Sequence, residues 1–262
     1  MKNLIKAQLY QLKKDRLVQI TFVGMLLILL MMAYINQLLA VTEASGLDTV
    51  TGGGFFANNL VGAMTVGLMF VIISVPRICG WDFTDKTTNY ELMSGHIRRE
   101  VYFSRIAVSL LVGVIGWIIL FCAPLAVTSI INGWGEKLPA SAAVLRSILM
   151  LFPIIRLSCE LACLTFILKN PYITMGIGYV MLMLEISPML SIKNSFLLGI
   201  SNLSLLGTVE VWTTYGLDGK MNYIYDAYLG AGDIAGTILI SLGVSLLALF
   251  IGYIFFKNDD IN

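Results

Sequence analysis

The chain has 262 residues, of which 58% are hydrophobic and 13% charged, with a formal net charge of +1 and a mean hydropathy of +0.85. Soluble globular chains carry about 25% charged residues, so this composition excludes a water-soluble domain and requires lipid as solvent. The small net charge is the sum of two unlike surfaces and gives no footing for a nucleic-acid partner.

In chain order, residues 1–17 set Leu4, Ile5, Leu9 and Leu12 among lysines at helical spacing, the pattern of an amphipathic helix lying along a membrane surface. Apolar blocks follow at about 18–40, 55–75, 106–131, 142–168, 172–190 and 234–256. At 1.5 Å per residue, about 20 apolar residues cross the roughly 30 Å of a hydrocarbon core, so each block is read as a transmembrane helix. The first outlasts a signal-peptide core and lacks a small-residue cleavage site, which predicts an uncleaved span. The expected fold is an all-α polytopic membrane protein, with an N-terminal interfacial helix and six transmembrane helices in a single domain over 1–262.

Six spans put both termini on one side. That side carries the Lys and Arg of residues 1–17 and of the 77–105 stretch, with Lys169 and Lys257, whereas the alternate loops hold only Lys137, Lys193 and Lys220. The positive-inside rule makes the termini cytoplasmic and the membrane the cell membrane. The long segment 193–231 is then extracellular, and its 196–212 stretch is apolar enough to dip back into the bilayer edge.

Small residues recur inside the spans, at Gly62-Ala63, Gly113 and Gly116, Gly176 and Gly178, and Gly232 with Gly236, where they let helix backbones approach. Pro124, Pro153 and Pro188 are candidate span breaks. Cys159 and Cys163 share a helix face with no histidine near them, so they read as packing residues rather than a metal site. His96, the sole histidine, falls in the 77–105 loop beside Arg98 and Arg99 and reads as a solvated or partner-facing residue, with pH sensing as the alternative. Neither a GxxxxGK[ST] phosphate loop nor an HExxH helix occurs: the nearest fragment, Gly216 to Lys220, has the wrong spacing. No catalytic residue, metal or bound cofactor is expected of the chain itself.

Four charged residues fall within the fourth and fifth spans: Arg146, Arg156, Glu160 and Glu185. Each costs roughly 2.5 to 3.5 kcal/mol at the bilayer centre unless paired or facing a cavity. The two spans meet in a tight hairpin at Asn170, so Arg156 and Glu185, almost equally far from it, should sit at similar depth near the midplane. Glu160, one turn from Arg156, is a second candidate partner. Arg146 lies nearer the outer end and is expected to snorkel to water. The Arg156, Glu160, Glu185 cluster reads as a structural pairing of the hairpin or as a polar patch on a substrate path or dimer seam.

The stretch RICGWDFTDKTTNYELMSGHIRREVYFSR is the largest charged segment on the cytoplasmic side. It runs from Arg77 through the pair Asp82-Phe83, a turn at Thr87-Thr88 and an apolar helix start at Tyr90-Glu91-Leu92-Met93, to Arg98, Arg99 and Arg105. This order resembles the ABC-2-type permeases, the transmembrane subunits of a family of ABC exporters, and the six-span layout with an interfacial first helix resembles them over almost the whole chain. Many relatives place a proline before the basic cluster, where this sequence has Gly95 and His96. The resemblance implies that Thr87, Thr88, Tyr90, Glu91, Leu92 and Met93 form a coupling helix that docks on a separate cytoplasmic ATPase subunit, and that Lys169 and Asn170 touch the same partner. It further implies a second permease, identical or a sister chain, with ATP and Mg held by the ATPase, and export of a substrate such as an antimicrobial or amphiphilic peptide. The competing reading is an ATP-independent transporter, or a membrane anchoring or assembly protein, although no internal repeat of the kind secondary transporters show is present.

Overall fold

A computed structural model describes residues 2–42, 51–84, 95–136, 139–189, 213–215, 221–223 and 231–258. Among these, seven helices form in chain order: α1 (Lys2–Lys14), α2 (Arg16–Thr42), α3 (Gly52–Thr84), α4 (Arg98–Asn132), α5 (Ala140–Leu168), α6 (Pro171–Met189) and α7 (Ala231–Asn258). A short antiparallel ladder of β1 (Thr213–Tyr215) and β2 (Met221–Tyr223) lies between α6 and α7. Five helices, α2, α3, α4, α5 and α7, are long and apolar enough to cross a membrane, and α6 contributes a shorter apolar helix. The chain is a helical, polytopic membrane protein.

The ends of these helices are closed by local chemistry. Asp15 separates α1 from α2, and its Oδ1 accepts the backbone N–H of Leu17 at 2.9 Å, capping α2. Between α5 and α6 the turn is Lys169-Asn170-Pro171. Lys169 adopts the left-handed conformation at φ 53° and ψ 20°, and its N–H returns to the Thr165 carbonyl, an αL C-cap on a residue other than glycine. Asn170 Oδ1 then accepts from the N–H groups of Tyr172 and Ile173 at 3.0 and 3.2 Å, with Pro171 at the first helical position, where no N–H is needed.

These turns gather at one end of the bundle. Arg77, in the last turns of α3, pairs with Asp15 at 2.8 Å, donates to the Tyr172 hydroxyl at 3.1 Å and stacks 3.2 Å over the Trp81 ring. Arg98 at the start of α4 donates to the Lys257 carbonyl at the end of α7, satisfying one of that helix's terminal carbonyls. The start of α2, the ends of α3, α5 and α7, and the starts of α4 and α6 therefore share one end. At the other end, the N–H groups of Gly52 and Gly53 donate to the carbonyls of Gly133 and Trp134 at 2.9 and 2.8 Å.

Several expectations change in detail. The described residues of the 77–105 stretch are mostly helix: α3 continues to Thr84 and α4 begins at Arg98, with Arg77 paired in place and Arg105 fully buried, 5.6 Å over the Phe83 ring. Pro124 and Pro153 sit inside continuous helices and break neither. Helix α1 does not give all its leucines to lipid, since Leu4 is buried and Leu12 packs on the core while Leu9 stays exposed. The 196–212 segment and the Gly216 to Lys220 fragment lie outside the described residues.

The small residues divide by what faces them. A Cβ on Gly67 or Gly116 would collide with Trp117 or Phe70, and one on Gly178 would fall 2.8 Å from Leu161. These glycines admit the rings that stack in the core, Trp117 on Phe121 at 5.1 Å and Phe121 against Phe56 at 5.5 Å. Around Gly176 and Gly236 nothing lies within 4 Å, so only some of the small-residue signals mark close approach. Gly67→Val should cost about 1–3 kcal/mol by overpacking, seen as a lower unfolding temperature in detergent, while Gly176→Ala should leave it unchanged or slightly raised. Equal effects at both positions would contradict this packing.

Candidate functional site

Helices α5 and α7 share the most extensive helix interface of the bundle. On α7, Thr237, Ser241 and Ser245 recur every four residues, each buried, and Ala248 and Gly252 continue the stripe. Cys159 and Cys163 pack on Ala248, and a Cβ on Gly252 would lie 3.2 Å from the Cys163 backbone. The two cysteines are thus packing residues of this seam, and none of the four cysteines is bridged. Among the described residues no group of His, Cys, Asp or Glu is arranged to hold a metal ion.

The charged cluster belongs to the same stretch of α5. Arg156 Nε donates to Glu160 Oε1 at 2.9 Å, with the side chains only 10% and 14% exposed. The spacing i, i+4 makes the pair an intrahelical one. Helical rise puts Arg156 roughly 21 Å from the Asn170 turn. Glu160 Oε2 and Ser241 Oγ have no hydrogen-bond partner among the described residues. A charged pair with one carboxylate oxygen unsatisfied among the described residues therefore sits at mid-depth on α5, and α7, which packs on α5, carries the polar stripe. Of the two candidate partners for Arg156, Glu160 is in bonding contact; Glu185 lies on α6, and its side chain is outside the described residues.

Arg146 does not reach water. It is 5% exposed, drawn into the helix packing of α5 rather than along its outer face, so the snorkelling expectation is corrected.

At the bundle end that carries Arg77, a second constellation joins four helices. Phe83 of α3, Tyr102 of α4, Phe166 of α5 and Phe256 of α7 have ring centroids 4.7–6.4 Å apart, the range in which aromatic pairs attract. The Tyr102 hydroxyl donates to the Leu249 carbonyl at 2.7 Å. Arg105 lies over Phe83. Sequence reading missed this knot because its members are scattered over four helices and each is an ordinary aromatic in its own block. The one available signal was the spacing of Tyr102 and Arg105 beside a basic cluster that helical periodicity extends into α4.

Of the residues read as coupling elements, two are described. Asn170 spends its side chain on capping α6, and Lys169 is exposed in the αL turn. Thr87, Thr88, Tyr90, Glu91, Leu92 and Met93 lie outside the described residues. His96 is 3.9 Å from Glu100, a distance too long for a firm hydrogen bond. No protein-family model matches the sequence, and no curated protein matches it.

A buried pair stripped of one member leaves an uncompensated charge, costing about 3–5 kcal/mol, whereas removing both charges costs far less. Arg156→Met and Glu160→Leu should each lower the unfolding temperature in detergent, and the double substitution should recover most of the loss. A double variant as unstable as the sum of the two singles would show that the pair is not coupled.

Proposed function

We propose that the chain is the membrane-spanning permease subunit of an ABC-2-type exporter, powered by a separate ATPase. In this reading α6 is the fifth of six crossings, its 19 residues rising roughly 28 Å. Both termini and the end of the bundle carrying Arg77 are cytoplasmic, and the membrane is the cell membrane. ATP and Mg belong to the ATPase subunit, since the chain has no phosphate loop. A second permease, a copy or a sister chain, completes the assembly, and an amphiphilic peptide is the substrate class.

One observation carries the reading: the aromatic knot joins both flanks of the 85–97 stretch to the α5–α7 seam. Phe83 is one residue from the end of α3 and Tyr102 is in the first turns of α4. A partner that pushes on the stretch between them moves Phe83 and Tyr102 together. Their ring contacts with Phe166 and Phe256 pass that displacement to α5 and α7. Those helices carry Arg156, Glu160 and the serine stripe, the polar groups a substrate path needs. The rigid Lys169-Asn170-Pro171 turn at the same end offers a second contact that moves α5 and α6 as one.

Glu160 Oε2, which has no hydrogen-bond partner among the described residues, favours a different class as runner-up, an ATP-independent transporter that binds its cargo at this carboxylate. The two separate in one experiment. The tagged chain, purified from its native membranes, should retain a subunit with a phosphate loop. Glu91→Arg, or prolines at Leu92 and Met93, should release that subunit while the permease stays inserted. Tyr102→Leu should keep it bound but slow the ATP hydrolysis coupled to transport, about tenfold if a single hydrogen bond and its ring contacts carry the coupling. Absence of any such subunit, or association indifferent to both loop changes, would remove the ABC-2 reading.

A further inference from the structure

Between α1, the start of α2 and the end of α3 lies a cavity of about 570 Å³, within the roughly 300–1,000 Å³ of small-ligand sites. Three of its lining residues, Lys14, Arg16 and Arg77, are basic and one, Asp15, is acidic. Asp15 is already bound to Arg77 and caps α2, so the carboxylate is turned to the protein and the cavity keeps an excess of positive charge. Lys14 and Arg16 are exposed, with the Lys14 ammonium 4.5 Å over the Tyr10 ring. Trp81, 38% exposed, and Leu17 form an apolar wall. An amphipathic helix, an exposed Trp and Tyr, and clustered Lys and Arg are the marks of a membrane interface.

Gln8 is only 5% exposed, and its amide nitrogen faces Ser104 at 3.4 Å, so this side chain is turned into the bundle. The cavity thus offers cations for a phosphate beside an apolar wall for the start of an acyl chain.

We propose that this cavity holds the headgroup of an anionic phospholipid. The phosphate oxygens accept from Lys14 and Arg16, and the chains leave past Leu17 and Trp81. A bound lipid then fastens α1 against α3 at the Arg77 junction. Basic pockets between membrane helices hold lipid headgroups by this combination of charge and hydrogen bonds.

The test uses the full chain reconstituted in vesicles of phosphatidylglycerol and phosphatidylcholine, extracted in detergent and weighed by native mass spectrometry. Phosphatidylglycerol should be retained over phosphatidylcholine, and Lys14→Gln with Arg16→Gln should cut retention about thirtyfold, the effect of two interfacial charges. The charge-matched pair Lys2→Gln with Lys6→Gln, on the same helix but outside the cavity, should leave it unchanged. Equal losses from both pairs would reduce the effect to net charge and overturn the site. Displacement of the lipid by inorganic phosphate would assign the cavity to a soluble anion instead. Because any variant can fold poorly, a photoactivatable phosphatidylglycerol headgroup supplies an independent arm on the unmodified chain. It should label the peptides containing residues 8–17 and 77–81, and labelling elsewhere would refute the proposal.

Discussion

A polar group inside a bilayer has no water to turn to, and the arrangement of this bundle follows from how each such group finds a partner within the protein. The Asp15–Arg77 pair is the central case. Asp15 ends α1, caps α2 and binds Arg77, and Arg77 in turn reaches α6 through Tyr172. One ion pair thereby ties the α1–α2 junction to α3 and, through Tyr172, ties α3 to the α5–α6 hairpin. The same economy governs the opposite end, where the first N–H groups of α3 are taken up by carbonyls following α4. Helices joined in this way cannot slide independently.

That rigidity gives the aromatic knot its meaning. Aromatic pairs contribute about 0.5–1.5 kcal/mol each beyond the area they bury, and here they link four helices within two turns of the segment that resembles a coupling helix. A cluster of this strength is firm enough to carry a push and weak enough to rearrange, as the proposed coupling requires. Deeper in the bundle, α5 carries the Arg156–Glu160 pair and α7, packed on α5, carries a stripe of small hydroxyl side chains. Packing there is close, but the hydrogen-bonding capacity of Glu160 and Ser241 is not used up. Polar groups held ready along a helix seam are what an amphiphilic cargo would require.

Much of this architecture was legible in the sequence. The long apolar blocks, the amphipathic first helix, the Asn170 hairpin and the nearness of Glu160 to Arg156 all follow from length, periodicity and charge, because lipid makes those signals strong. What periodicity does not encode is which side of an apolar helix meets protein. Arg105 reads as a membrane-entry residue and is buried; Arg146 reads as a snorkelling residue and is buried as well. In both cases the decision was made by neighbouring helices, whose packing is a tertiary fact. Gly67 and Gly116 are of the same kind, since they matter only because Trp117 and Phe70 lie opposite. Asn170, read as a partner contact, also has a local task that the sequence reading did not assign it: its side chain caps α6.

The account stands on the claim that the turn at Asn170, the approach to α4 and the end of α7 share one face of the membrane, the cytoplasmic one, while the α4–α5 connection lies on the other. Single cysteines placed at Asn170, His96, Asn258 and Glu136 in a cysteine-free background, labelled with a membrane-impermeant maleimide, test it directly. The first three should react only after the cells are permeabilised, and the cysteine at Glu136 should react in intact cells. Labelling of Asn170 and Glu136 positions from the same side would contradict the topology, and with it the coupling of this bundle to a cytoplasmic ATPase.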